Sequence, residues 1–311
     1  MGSGNPHGLI DLRARALFMR PTVTVCVCTR NRPEELRRCL ESIGRSRLRV
    51  DETVVSDDST DNRTAEMLRV DPRDTVYIEG PRTGLGANRN RALRAAKSDY
   101  ILFLDDDACL GEEFLERALA RATAHADNAR TIVTGCENNH GVIVRAHAQS
   151  FLGFQEVPYR SDAGLKTIVI NSTLFPRSLF EVARFDEKLV YGYDEVDIAS
   201  QAVRHGYRIV QSDDAVNFHY PSLVNRSYYK PHLEVSRLYV TFKRYALYER
   251  SYTKAATFAA LAPVHCVLAA LKRRGIAGLG DAGRAILAAA RFSAESLRAG
   301  VQGRVRHDPS L

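Results

Sequence analysis

Apolar positions in the first 125 residues alternate between short continuous runs and stripes at helical spacing. Residues 22–28, 52–55, 75–79 and 100–104 read as strands. The last of these, Tyr-Ile-Leu-Phe-Leu, has no polar alternation, as befits a strand buried on both faces. After the first run, Pro33, Glu34 and Glu35 suit a first helical turn, where proline is tolerated and acids favour the dipole. Leu36, Leu40 and Ile43 then form an apolar stripe, and Gly44 ends it. Further helices are expected over 64–70, 87–97 and 112–125. Four strand–helix alternations predict an α/β fold: a doubly wound, mostly parallel sheet with helices on both faces.

The pattern changes past residue 131. Stretches 131–135 and 141–145 look like strands on an antiparallel side of the sheet, and 146–166 is polar with no clear period. A β-branched strand is expected over 167–174, a short helix over 176–182 and a helix over 198–205 closed by Gly206. Strands 207–210 and 216–220 follow. At the start, residues 1–8 read as disordered and 9–19 as a short amphipathic helix. The tail reads as helical: 227–250 is rich in Tyr, Arg and Lys, 255–271 holds no charge, and 281–299 is rich in Ala and Arg. The expected organisation is an N-terminal extension (1–20), a main domain (21–225) and a C-terminal helical extension (226–311).

Charge sharpens this division. The formal net charge is +7, and residues 254–311 hold nine Lys/Arg against three Asp/Glu, hence +6 of it. The near-neutral remainder gives no support to nucleic-acid binding. The uncharged stretch 255–271 spans seventeen residues, interrupted by Pro263 and His265, short of the ~20 a membrane-crossing helix needs. With Lys272-Arg273-Arg274 behind it, it reads either as a peripheral membrane attachment or as helices packed on the main domain or in a homodimer. The six cysteines form no C-x-x-C pair, and no secretory signal opens the chain. A cytoplasmic setting is expected, at the inner membrane face if the tail binds lipid.

Acids cluster where strands end. Asp105, Asp106 and Asp107 close the fourth run, where ligands bind in open parallel sheets, so they read as a cation site or as a solvated helix cap. Asp57 and Asp58 close the second and could bind a base or ribose, or simply cap a turn. Gly84-Leu85-Gly86 is too little for a dinucleotide fingerprint, but opens a helix whose Arg89 could meet a phosphate. Asp194, Glu195 and Asp197 could supply a general base or suit a helix dipole. His219, at a strand end, is a candidate third ligand for Mg or Mn.

Taken in order, Val27–Pro33, Ser56–Asp61, Gly84–Asn90, Tyr100–Asp107, Arg184–Glu187 and Asp194–Ile198 resemble the family 2 glycosyltransferases of the GT-A fold. That resemblance implies transfer of a sugar from a nucleotide-sugar donor (a UDP- or dTDP-sugar favoured) to a hydroxyl of a glycan, lipid-linked or small-molecule acceptor, with inversion. It implies nucleotide contacts at Cys28, Thr29, Arg30, Asp57 and Arg89, with Asp106 near the ribose. A divalent cation, Mn or Mg, would sit on Asp105 and Asp107. The late acidic pair would hold the base: Glu195 by alignment, with Asp194 the alternative. The chain departs from the pattern at Cys28, Arg30, Ser56 and Asp58. A sugar-1-phosphate nucleotidyltransferase would need a Gly-rich loop at Thr29–Pro33, which has no glycine. A non-catalytic sugar-nucleotide-binding protein of the same fold would have no need of these acids.

Overall fold

Two-sided burial explains the unbroken apolar runs. In the computed structural model, which describes residues 20–125, 127–159, 164–224 and 226–305, the first half of the chain alternates strand and helix as expected. The elements are β1 (Val23–Thr29), α1 (Pro33–Gly44), β2 (Glu52–Asp57), α2 (Arg63–Val70), β3 (Thr75–Glu79), α3 (Leu85–Ala95) and β4 (Tyr100–Asp105). The strands pair in parallel in the order β3-β2-β1-β4. Val23, Val25 and Val27 of β1 and Tyr100, Leu102 and Leu104 of β4 enter one core with α1. Cys26, Ile101 and Phe103 enter the other, with α3. Phe103 anchors that second core through edge contacts to Phe175, Phe180 and Phe185, with ring centroids 4.9–6.1 Å apart. The expected disorder of 1–8 and the helix 9–19 lie outside the described residues.

The second half completes a mixed sheet. It contains β5 (Ala108–Cys109), α4 (Phe114–Thr123), β6 (Thr131–Asn139), β7 (Val142–Val144), β8 (His147–Gln149), β9 (Gln155–Pro158), β10 (Thr173–Pro176), α5 (Leu179–Val182), α6 (Asp194–Arg204) and β11 (Arg208–His219). Beyond β4 the order continues β10-β6-β11-β5, and β7 pairs with β6. Three expectations change here. The strand at 131 runs on to Asn139 and lies inside the sheet, antiparallel to β10 but parallel to β11. The strand expected over 167–174 begins only at Thr173, because Ile170–Ser172 form a 3₁₀ turn that aims Asn171 inward. The pieces at 207 and 216 are one strand, whose register shifts between Gln211 and Val216 so that the polar Ser212–Asp214 segment is accommodated. The unassigned stretch after residue 146 contains the β8–β9 hairpin.

The tail forms α7 (Arg226–Lys243), a π-helical turn (Arg244–Tyr248), α8 (Tyr252–Arg274) and α9 (Leu279–Val305). It packs a third core in which Leu238, Tyr239, Phe258, Ala262, Cys266 and Ala289 meet Leu189 and Val196 of the main domain. Val196 lies on α6, so the extension is fastened to the helix that carries the late acidic pair.

Candidate active site

The acids that end β4 are held by a circuit of side chains from four elements. Asn171 Oδ1 accepts the backbone N–H of Asp105 at 2.8 Å, and Asn171 Nδ2 donates to Glu137 Oε1 at 2.8 Å. Glu137 Oε2 faces His219 Nδ1 at 3.3 Å, and His219 Nε2 faces Asp107 Oδ1 at 3.4 Å, which closes the loop. Burial alone would push the His219 pKa down, but the hydrogen bonds and charges of Asp107 and Glu137 outweigh it and push it up to about 10. Asp107 is likewise buried, which raises a carboxyl pKa, yet His219, the Ser222 N–H and Arg32 hold it below the usual range. Asp106 behaves oppositely: burial dominates over Arg32 and pushes it up to about 7. Its oxygens accept from Thr29 Oγ1 at 2.8 Å and Arg32 Nη1 at 2.9 Å. Arg32 Nη1 also reaches Asp107 Oδ2 at 3.2 Å, and its Nη2 donates to the Val224 carbonyl.

A second link joins β4 to α6. The Arg89 guanidinium, almost fully buried, pairs with Asp105 at 2.8 Å and with Asp194, and stacks on Phe185. Asp194 is thereby committed to an ion pair. Glu195, next along the helix, accepts a hydrogen bond from Gln155 Nε2 at 2.6 Å, and burial raises its pKa. Just before this pair the backbone turns through Gly192 and Tyr193, at φ 78° and 62°. A tyrosine in the left-handed region is strained by roughly 1–3 kcal/mol, and such residues gather at functional sites.

Asp105, Asp106 and Asp107 line a cleft of about 620 Å³, bounded by Cys28, Thr29 and Arg30 at the end of β1, Gly84 and Leu85 at the start of α3, and Tyr228, Tyr229 and Leu233 of α7. Gly84 sits at φ 132°, and a Cβ there would lie 2.8 Å from the Val190 backbone, so only glycine allows this wall. Residues 24–182 match the family described as Glycosyl transferase family 2. The chain belongs to that family. It is similar to the succinoglycan biosynthesis protein ExoM of Rhizobium meliloti (strain 1021), 34% identical over 115 residues, 33% of this chain and 36% of ExoM. It is also similar to the glycosyltransferase GlyA of Streptococcus pneumoniae serotype 4, 32% identical over 98 residues, 30% of this chain and 14% of GlyA. In each case the chain spans well under two thirds of the relative's length. The fold resembles that of the mannosyltransferase PcManGT from Pyrobaculum calidifontis, solved in complex with GDP-Man and Mn2+. The TM-score is 0.53 at 21% identity, with 96% of this chain and 87% of that one covered. The fold is accordingly the GT-A type, with a C-terminal helical extension.

Within this family 2 glycosyl transferase, the residues expected at the site separate into two groups. Cys28, Thr29, Arg30, Asp105, Asp106, Asp107 and His219 line the cleft. Asp57 and Arg89, expected at the nucleotide, and Asp194 and Glu195, expected to hold the base, are not among its lining residues. Asp57 accepts from the Ser59 N–H at 2.9 Å and from the Tyr77 hydroxyl at 3.1 Å, and its neighbour Asp58 faces the cleft instead. Both ring nitrogens of His219 are turned to carboxylates, so here it serves Asp107 as a counter-ion. Among the described residues no three His, Cys, Asp or Glu side chains form a ready-made metal cage. Asp105 and Asp107 nonetheless suit a hard cation, because they offer carboxylate oxygens in one cleft and leave further positions for ligand oxygens. The contributions of Asn171, Glu137, Gln155 and the α7 tyrosines were not deduced from the sequence. Only the Tyr-rich composition after residue 227 hinted at the last of these.

Proposed function

We propose that the chain is an inverting glycosyltransferase that binds a nucleotide-sugar in this cleft and transfers the sugar to an acceptor hydroxyl. One observation carries the reading: Arg89 ties Asp105 to Asp194 and so fixes the start of α6, with Glu195, beside the acids of β4. The base and ribose of a UDP- or dTDP-sugar would lie against Thr29, Arg30, Asp58 and Asp106. Asp105 and Asp107 would hold a divalent cation, Mn or Mg, with His219 beside them. Such an ion supplies Lewis-acid neutralisation of the departing diphosphate. Glu195 is the general base: its carboxyl pKa is raised toward the working range, whereas the Asp194 carboxylate is taken up by Arg89. It accepts the acceptor proton as the hydroxyl attacks opposite the leaving nucleotide. We place the acceptor side toward the tail, at the cytoplasmic face of a membrane.

Transfer assays with UDP-, dTDP- and GDP-sugars test this. Glu195→Gln should retain donor binding while losing at least a hundredfold in turnover. Asp107→Ala, or chelation by EDTA, should abolish turnover, and Mn or Mg should restore the chelated enzyme only. Full activity in EDTA would remove the cation from the proposal, and an active Glu195→Gln would move the base elsewhere.

A further inference from the structure

We propose that the outer face of α8, with the turn that follows it, docks on an anionic lipid surface. α8 carries two apolar faces. Ala255, Phe258, Ala262 and Cys266 are buried and pack into the third core. Leu261, Val264, Leu268 and Leu271 recur at spacings of three and four, and are 51%, 56%, 61% and 37% exposed. At 3.6 residues per turn their stripe lies about 150° around the helix from the buried one. Ile276, in the turn after α8, is 83% exposed and extends the apolar row. Single exposed leucines are ordinary on a protein surface, but a contiguous row on one helix is not.

Charge identifies the occupant. Lys272, Arg273 and Arg274 follow Leu271 directly and are exposed. From residue 252 to 299 there are seven Lys/Arg and only two acids, Asp281 and Glu295. Both acids are already paired, Asp281 with Arg274 and Arg284, Glu295 with Arg291 at 3.6 Å. An apolar stripe followed by exposed cations that outnumber the acids around them fits the boundary between acyl chains and anionic headgroups. By length and composition alone this helix could cross a membrane. Its inner face, however, is held in the third core, which leaves only the outer stripe for lipid. A second copy fits less well, because the acids between residues 252 and 299 are already paired and none is left to receive its basic cluster.

Sedimentation of the full chain with vesicles tests the proposal. The protein should pellet with phosphatidylcholine vesicles containing phosphatidylglycerol, and not with phosphatidylcholine alone. Val264→Glu/Leu268→Glu should lower binding at least tenfold. Lys272→Gln/Arg273→Gln should lower it roughly tenfold and flatten its dependence on salt. All four positions are exposed, so melting temperatures should match the wild type; if the Glu pair melts early, the Gln pair still decides. Absence of wild-type binding, or binding that neither pair weakens, overturns the proposal. So does light scattering that finds a dimer which Leu268→Glu turns into a monomer.

Discussion

The carboxylates of Asp106 and Asp107 share one guanidinium, that of Arg32, whose own side chain is only 12% exposed. Removing one partner of a buried ion pair costs about 3–5 kcal/mol, because the remaining charge is left uncompensated. Arg32→Met should therefore lower the melting temperature of the ion-free protein. It should also enlarge the rise in melting temperature produced by Mn, since a bound ion would then relieve Asp107 without competing against Arg32. Equal Mn-induced rises in variant and wild type would show that Arg32 and the ion do not meet at these acids. The contrast with Asn171 and Glu137 shows what a sequence conveys at this scale. Asp105–Asp107 stand out because three acids are contiguous after an apolar run. Asn171 and Glu137 lie in different elements, and their role arises only when β4, β6, β11 and the 3₁₀ turn come together.

Among the elements, α6 is clamped twice within its first turn. Arg89 holds its first residue. One turn on, Lys243 at the end of α7 reaches Asp197 at 2.9 Å and Asp186 at 2.6 Å, while the Tyr248 hydroxyl donates to Asp197. Burial raises the Asp197 carboxyl. Asp186 is also penalised by burial, but the Lys243 charge outweighs that and holds it below the usual range. Lys243→Met leaves two carboxylates facing each other without a cation, and should destabilise the fold by about 3 kcal/mol. Urea unfolding measures this, with an unchanged midpoint counting against the clamp, and Lys243→Met/Asp197→Asn should recover part of the loss. The parallel strands were legible because burial on both faces leaves a continuous apolar signature. The segment 167–172 carries the same β-branched signature, yet Val169 N–H and the Thr173 hydroxyl take bonds that bend it out of the ladder. Composition reports burial there, not backbone shape.

On the scale of the whole molecule, the boundary expected near residue 225 separates main domain from extension in sequence but not in packing. The third core draws Leu189 and Val196 from one side and Leu238, Tyr239 and Phe258 from the other. The Lys243 ion cluster crosses at the same place. Across the cleft, Arg30 stacks under Tyr228 at 4.5 Å and Tyr191 stacks on Tyr229 at 4.4 Å, so the extension also supplies a wall of the site. A chain ended after residue 225 would expose Leu189 and Val196, each costing roughly 1.5–3 kcal/mol of lost burial. It would also strand Asp186 and Asp197 without Lys243, at a further ~3 kcal/mol. Their sum is comparable to the whole stability of a typical domain, about 5–15 kcal/mol. The truncated chain should therefore be unfolded or aggregated at room temperature, as read by circular dichroism and light scattering. If it instead melts cooperatively within a few degrees of the full chain, the GT-A core stands alone and the extension is an attachment.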